Sequence, residues 1–258
     1  MRKKVIAFDL DDTLAESKST IEDRMGDLLR QLLDKFHVCV ISGGKFEQFN
    51  KQLLSNLKAD PTQLERLHLM PTCGTRYYTY NLAHGKWDQV YAEDFTEADK
   101  KKIIKALEEG AEALGYKENK VYGDTVEDRG SQITFSALGQ DIVDELGPEG
   151  VKRKKEWDRD GVKKLKLRDY VAELIPEFEV RAGGATSIDV TKPGIDKAYG
   201  MHKLMELLDV SKDEILFMGD KLQEGGNDYP VMAMGIDSLE VSHWQDTALA
   251  IQTIIHVV

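Results

Sequence analysis

Cysteine is scarce in this chain, with two among 258 residues. Cys39 lies inside the apolar run HVCVI and Cys73 in PTCGT. The pair matches no metal-ligand spacing and gives no disulfide framework, so a reducing, cytoplasmic setting is expected. Positive charge is short as well. Thirty-five Lys and Arg residues face 46 Asp and Glu, a formal charge of −11. That argues against a nucleic-acid partner, which needs a broad basic surface. Long apolar runs are missing: no segment approaches membrane-spanning length, and the run behind the basic MRKK is too short for the core of a signal peptide. No membrane partner is expected. There are no repeats or low-complexity tracts, and the densest basic run, KRKK at 152–155, reads as a solvated helix face.

What is present is an ordinary globular composition, 41% hydrophobic and 31% charged, on a chain long enough for one large domain or two small ones. VIAF (5–8) reads as a strand buried on both faces, as parallel-sheet strands are. Ile21, Met25, Leu28, Leu29, Leu32 and Leu33 then recur at helical spacing, with Ser19 and Glu22 as a capping box. HVCVIS (37–42) gives a second buried strand, followed by a helix over 46–57 and a strand at 66–70. This alternation implies a parallel sheet with right-handed crossovers. From residue 76 the texture changes to alternating strands and charged helices at 96–114 and 160–174, with a turn at His84-Gly85. After TKPG the first texture returns, with a helix at 196–208, the buried strand ILFMG (215–219), an acidic glycine-rich loop and a last helix. The expectation is an α/β protein: a Rossmann-like parallel-sheet core, 1–84 plus 191–258, carrying an inserted α+β cap over 85–190.

In open parallel sheets, ligands gather beyond the carboxyl ends of the strands. Three apolar stretches here end in polar signatures that would meet at that edge: Asp9-Leu10-Asp11, Ser42-Gly43-Gly44 and Gly219-Asp220. Lys197 starts the helix before the third. Crowded carboxylates repel one another, and burying one unpartnered costs several kcal/mol. They become tolerable around a hard divalent cation such as Mg²⁺, which takes oxygen ligands and suits phosphate-binding sites. The acids are therefore read as holding a metal, with at least one doing chemistry.

DLDDT (9–13), Ser42, Lys197 and GDKLQEGGND (219–228) resemble, in order, the four motifs of the haloacid dehalogenase superfamily. GGKFEQFNKQL, EDRGSQITFSALGQ, GGATSIDV and the GGND loop resemble more narrowly the eukaryotic-type phosphomannomutases of subfamily IIB, which carry an inserted α+β cap. The likeness covers nearly the whole chain. It implies Asp9 as the nucleophile that becomes an aspartyl-phosphate and Asp11 as the general acid and base. It implies Mg²⁺ held by Asp9, the Asp11 backbone carbonyl and Asp220, oriented by Asp228. Ser42, with the backbone N–H groups of Gly43 and Gly44, would bind the phosphoryl oxygens, and Lys197 would neutralise their charge. Among cap residues the resemblance implies substrate contacts from Arg129, Ser187 and Asp189, with Lys18 where the mutases place an arginine. The implied substrate is a small phosphorylated sugar, and related mutases suggest a homodimer through the cap.

Two departures divide the expected activity. The mutases carry two further cap arginines, which align with Gln140 and Gly147 here, and Lys152 and Arg153 follow soon after as candidate replacements. In ISGGKF the serine stands at Ser42, the phosphatase position of the wider superfamily, where the mutase form has it two places later, at Gly44. Mutase and sugar-phosphate phosphatase activities both stay open, and a non-catalytic phosphosugar-binding protein is the third reading.

Overall fold

The computed structural model describes residues 3–257, which divide into two compact units: 3–92 with 195–257, and Glu93–Gly194. In chain order the strands are β1 (Val5–Phe8), β2 (His37–Ile41), β3 (Leu67–Met70), β4 (Arg76–Asn81) and β5 (Lys86–Ala92) in the first unit. The insert holds β6 (Val126–Asp128), β7 (Gln132–Ser136), β8 (Glu179–Ala182) and β9 (Ser187–Thr191), and the chain returns with β10 (Ile215–Gly219) and β11 (Asp237–Glu240).

The first unit is built on a seven-stranded sheet of order β11-β10-β1-β2-β3-β4-β5. It is parallel from β11 to β3 and antiparallel beyond. β1 sits centrally because its side chains are apolar on both faces. Ile6 and Phe8 pack with Met25, Leu29, Leu32 and Leu33 of helix Asp23–Leu33 and with Ala248 and Ile251 of helix Trp244–Val257. Val5 and Ala7 pack the other way, with Met201 and Leu204 of helix Lys197–Leu208. Burying one Phe or Ile side chain stabilises by about 1.5–3 kcal/mol. A four-residue strand with no polar side chain gains this in both layers only at the centre of a sandwiched sheet.

Local details depart from the periodicity reading. The helix after β1 begins at Asp23 with Glu22 as N-cap and no side-chain cap, so Ser19 and Glu22 form no capping box. The segment before it is instead drawn out against the 46–57 helical run: Ile21 N–H donates to Gln52 O at 2.8 Å, and Asn56 Nδ2 to Ile21 O at 2.9 Å. That run is itself interrupted. Phe46–Phe49 and Ser55–Leu57 are α-helical, and Asn50–Leu54 between them is a π-turn. The hairpin strand β5 stays with the first unit because its hydrogen bonds are to β4, from Arg76↔Ala92 to Asn81↔Lys86. The chain therefore passes between units at Ala92 and again at Gly194, rather than at 84 and 190. β8, β11 and helix Ile142–Leu146 have no counterpart in the pattern reading. Tyr77, Tyr78 and Tyr80 serve sheet packing: Tyr78 stacks on Phe46 at 4.1 Å, and Tyr80 meets Trp87 edge-on.

The insert is a four-stranded antiparallel sheet of order β6-β7-β9-β8. Ile133, Phe135, Ile188 and Val190 form its apolar face, covered by Ile103 and Leu107 of helix Glu97–Ala113 and by Leu167 and Val171 of helix Val162–Leu174. The first of these helices is opened by a reciprocal capping box between Thr96 and Asp99. Strand alternation sends Gln132, Thr134 and Ser136 of β7, and Ser187, Asp189 and Thr191 of β9, to the other face. No helix among the described residues is long and apolar enough to cross a membrane.

His68 on β3 is buried between His37, whose Nδ1 lies 2.9 Å from its Nε2, and the Tyr77 hydroxyl, 2.8 Å from its Nδ1. Burial, with His37 as a lesser cause, pushes its pKa down to about 3. The unfolded chain therefore binds a proton at this residue between about pH 6.5 and 3 that the native state refuses, and stability falls with pH across that window. Acidifying from pH 6.5 to 4.5 should cost the native protein roughly 2 kcal/mol through this group. His68→Gln should flatten that part of the pH profile, as read by urea denaturation at each pH.

Candidate active site

The sheet register brings the acids together. Phe8 lies beside Val40 on one side and Met218 on the other, so β1, β2 and β10 end at one edge and release Asp9, Ser42 and Asp220 there. Asp9 N–H donates to Met218 O at 2.9 Å, fixing the exit of the chain. Leu14 and Ala15 N–H groups then turn back onto Leu10 O, and Asp12 takes φ of +60°, a left-handed conformation that Asp tolerates better than most residues.

At the centre lies Lys197, the first residue of its helix and 1% exposed. Its Nζ is 2.5 Å from Asp9 Oδ1 and 2.5 Å from Asp228 Oδ1. Burial works to lower the pKa of this ammonium, but the two carboxylates outweigh it and hold it above its ordinary range. Burial likewise pushes the Asp9 carboxyl up, to about 7, with Lys197 pulling it back and Asp228 adding to the rise. Asp9 Oδ2 receives the Thr13 hydroxyl at 3.5 Å. Asp228 is fully buried, and its Oδ2 accepts the Lys221 N–H at 3.0 Å. It stands so close to Gly219 that a Cβ there would fall 2.5 Å from Asp228 Oδ2, so glycine is required at the end of β10.

Carboxylate oxygens of Asp9, Asp220 and Asp228 lie within 4.8 Å of one another. Asp220 Oδ2 pairs with Lys221 Nζ at 2.7 Å, whereas its Oδ1 is buried with no hydrogen-bond partner. An orphaned carboxylate oxygen among hard oxygen donors fits a small divalent cation. The triad could hold such an ion, and the Asp11 side chain is turned elsewhere. Its Oδ1 accepts Lys18 N–H at 2.7 Å and Gln52 Nε2 at 3.0 Å, and its Oδ2 accepts Gln48 Nε2 at 3.0 Å. Lys18 thus meets Asp11 through its backbone, at φ of +60°. Ser42 Oγ accepts Gly44 N–H at 3.2 Å. Bonds from Cys73 N–H to Ser42 O and from Thr72 N–H to Gly44 O, each 3.0 Å, pin the Ser42-Gly43-Gly44 turn.

In the insert, Ser187 and Asp189 share the polar face of the sheet, where Asp189 Oδ1 accepts the Thr134 hydroxyl at 2.6 Å. Arg129 Nε pairs with Glu127 at 2.7 Å. Gln140 donates its amide to the backbone oxygens of Thr134 and Thr125, at 3.2 and 3.4 Å, and so fastens the loop after β7. Arg153 donates to Glu149 and to the Tyr122 hydroxyl.

Four residues at these places escaped the sequence reading. Gln48 and Gln52 sit in a helix where amides carry no motif. Lys221 was hidden by its place inside the acidic loop. Arg181 is paired with Glu179 on β8 and lies opposite Asp189, on the face Asp189 occupies. A signal for it existed: Glu-x-Arg occurs at 127–129 and again at 179–181, once on each outer strand of the sheet or at its end.

Residues 6–234 match the family model described as haloacid dehalogenase-like hydrolase. Among curated proteins, the chain is 26% identical over 238 residues to a phosphomannomutase of Encephalitozoon cuniculi, covering 89% of this chain and 84% of that one. It is 26% identical over 250 residues to a probable phosphomannomutase of Caenorhabditis elegans, covering 93% and 89%. Among solved structures, an N-terminally truncated, IMP-bound IMP-nucleotidase of Plasmodium falciparum superposes with a TM-score of 0.70 at 17% identity, over 99% of this chain and 69% of that one. A haloacid dehalogenase-like hydrolase of Bacteroides thetaiotaomicron superposes with a TM-score of 0.64 at 16% identity, over 98% and 100%.

The buried Asp9–Lys197–Asp228 cluster makes a stability prediction. Lys197→Met removes the cation and leaves two buried carboxylates facing each other. In chelator, this should destabilise the protein by about 3–5 kcal/mol, the usual result of breaking a buried ion pair from one side. Urea denaturation of both proteins in EDTA measures it, and a loss below 1 kcal/mol would contradict the burial described here.

Proposed function

Because the chain belongs to the haloacid dehalogenase-like hydrolases, we propose that this phosphoryl-transfer enzyme acts on hexose phosphates as a phosphomannomutase-like phosphotransferase, through an aspartyl-phosphate on Asp9. The observation that carries the reading is the buried lysine between two carboxylates at the carboxyl edge of a parallel sheet, with a third carboxylate beside them. The relatives' names add the sugar.

An Asp9 oxygen attacks phosphorus. The bond from phosphorus to the sugar oxygen breaks, and Asp11 delivers the proton that oxygen needs. In the second half Asp11 takes a proton from the acceptor hydroxyl or water as that oxygen attacks phosphorus, and the bond from phosphorus to Asp9 breaks to restore the free carboxylate. Lys197 lies against the nucleophile and offsets the negative charge of the incoming phosphoryl group, while Ser42 and the Gly43 and Gly44 N–H groups bind its oxygens. Asp9, Asp220, Asp228 and the Asp11 backbone carbonyl would hold Mg²⁺, which supplies charge neutralisation at the phosphoryl oxygens when bound.

On the insert, Arg129, Ser187 and Asp189 are the proposed substrate contacts, joined by Arg181. Each charge-assisted hydrogen bond to a phosphate is worth roughly 1.5–3 kcal/mol. A mutase must hold a bisphosphorylated intermediate while it turns round, so fewer arginine contacts let that intermediate escape or let water intercept the aspartyl-phosphate. By the resemblance to the mutases, Gln140 and Gly147 take the places of two arginines, and Arg181 offers one replacement on a different strand. Hydrolysis is therefore the competing reading, and the two differ in product.

Hexose 1- and 6-phosphates with Mg²⁺, with and without a hexose bisphosphate, should show isomerisation accompanied by measurable phosphate release. Asp9→Asn should remain folded and bring both to background. Isomerisation with negligible phosphate release would remove the argument from the substituted arginines. Turnover that survives in Asp9→Asn would remove Asp9 as the nucleophile.

A further inference from the structure

We infer that Gln48 and Gln52 are positioning residues for Asp11, forming an amide clamp that fixes the orientation of the acid–base carboxylate; this rests on the role proposed above for Asp11. The two glutamines are four residues apart, on one face of the 46–57 helical run, and the π-turn Asn50–Leu54 contains the second of them. Single π-turns inside helices concentrate at functional sites, where an inserted residue re-aims a side chain.

The hydrogen bonding is closed on itself. Gln52 is fully buried. One of its Nε2 hydrogens goes to Asp11 Oδ1 at 3.0 Å and the other to Ser19 O at 3.1 Å, while its Oε1 accepts Gln48 Nε2 at 2.5 Å. Gln48 Nε2 gives its remaining hydrogen to Asp11 Oδ2 at 3.0 Å. With Lys18 N–H on Oδ1, both carboxylate oxygens are held, by donors from two separate segments of chain.

A purely structural account fits these residues poorly. Phe49, Leu53 and Leu57 of the same run are buried hydrophobics, so a buried amide at 52 stands out among them. One of its hydrogens ties down Ser19 O, a structural bond, whereas its other hydrogen and that of Gln48 both go to the Asp11 carboxylate. Gly44 fits the same requirement: a Cβ at that position would fall 2.1 Å from Gln48 Oε1, so the phosphate-side turn leaves space for the clamp. The turn proposed to bind the phosphoryl group and the group proposed to protonate the leaving oxygen are thereby set against one another through Gln48.

The role separates from general stabilisation by its dependence on the leaving group. A sugar oxygen departs poorly unless it is protonated, whereas p-nitrophenolate departs unaided. Gln52→Leu and Gln48→Ala are compared with the unsubstituted full-length protein in Mg²⁺, under single-turnover conditions with enzyme in excess. Mannose 6-phosphate and p-nitrophenyl phosphate are the substrates, and thermal midpoints are recorded alongside. Leaving-group release from mannose 6-phosphate should slow by about tenfold or more, a fraction of what a positioned acid contributes. Release of p-nitrophenolate should slow by less than about threefold, with half-saturating concentrations unchanged. Equal slowing of both substrates would overturn the inference and leave the amides as ordinary structural groups. Gln48 is only half-buried, so Gln48→Ala decides the matter if Gln52→Leu does not fold. Should the unsubstituted protein release neither leaving group, the proposed function fails and takes this inference with it; slowing confined to the variants and equal for both substrates refutes this inference alone.

Discussion

The buried contact of Lys197 with Asp9 and Asp228 is the constraint around which the first unit is arranged. An ammonium and two carboxyl groups held in a dry interior satisfy one another, and removing one partner strands the others. To make the contact, the chain must bring residue 9 at the end of the central strand, residue 197 at the start of a helix and residue 228 from an acidic loop to one point. The packing supports this: an all-apolar β1 takes the middle of the sheet, and the Gly219 backbone leaves room for the Asp228 carboxylate. The cluster also sets the local electrostatics. Two ammonium groups, Lys197 and Lys221, stand against the three carboxyls of Asp9, Asp220 and Asp228, and the acids outnumber them, which suits a site completed by a divalent ion and then by a phosphoryl group.

Much of this architecture was legible in the sequence where a signal is carried by consecutive residues. VIAF followed by DLDDT announces both a buried strand and what lies at its end, and the structure puts Asp9 and Asp220 at neighbouring strand ends through the register of β1 with β10. Strand-ending serines and glycines are similarly local. The Asp11 contacts were not legible, because Gln48 and Gln52 reach it across about forty residues of sequence and glutamine has no pattern of its own on a helix. The missing capping box has the same origin. Ser19 and Glu22 have the right spacing, but tertiary bonds from Gln52 and Asn56 extend that segment and start the helix later. The allegiance of β5 also escaped, since alternation reveals a hairpin but not which sheet it joins.

The insert shows a different division of labour between sequence and fold. Its apolar alternation, Ile133 and Phe135 against Ile188 and Val190, is strong enough to fix one face of the sheet beneath two helices. The opposite face is then polar by necessity of the strand period, and it displays hydroxyls, Asp189 and two glutamate-tethered arginines. A tethered guanidinium keeps its planar fork oriented before any ligand arrives, which lowers the ordering cost of engaging an anion. Positive charge is thus presented on this face from its two outer strands, by Arg129 at the end of β6 and by Arg181 on β8.

The discontinuity of the first unit has a further consequence during synthesis. Asp9 and Lys197 are 188 residues apart, and β1 must wait for β10 before its second edge is covered. At ordinary ribosomal speeds that separation amounts to roughly 10–40 s. Through that interval the nascent chain exposes the edge of β1, and from the completion of β9, about 1–5 s before β10 is made, the contiguous insert has every strand of its own sheet. The emerging polypeptide is thus a finished small domain tethered to an unfinished large one, the state in which holding chaperones find substrates and in which a stalled ribosome would leave an aggregation-prone fragment. Late closure also means that products truncated before residue 197 carry Asp9 without Lys197 or Asp228, and so without the buried contact around which this unit is arranged.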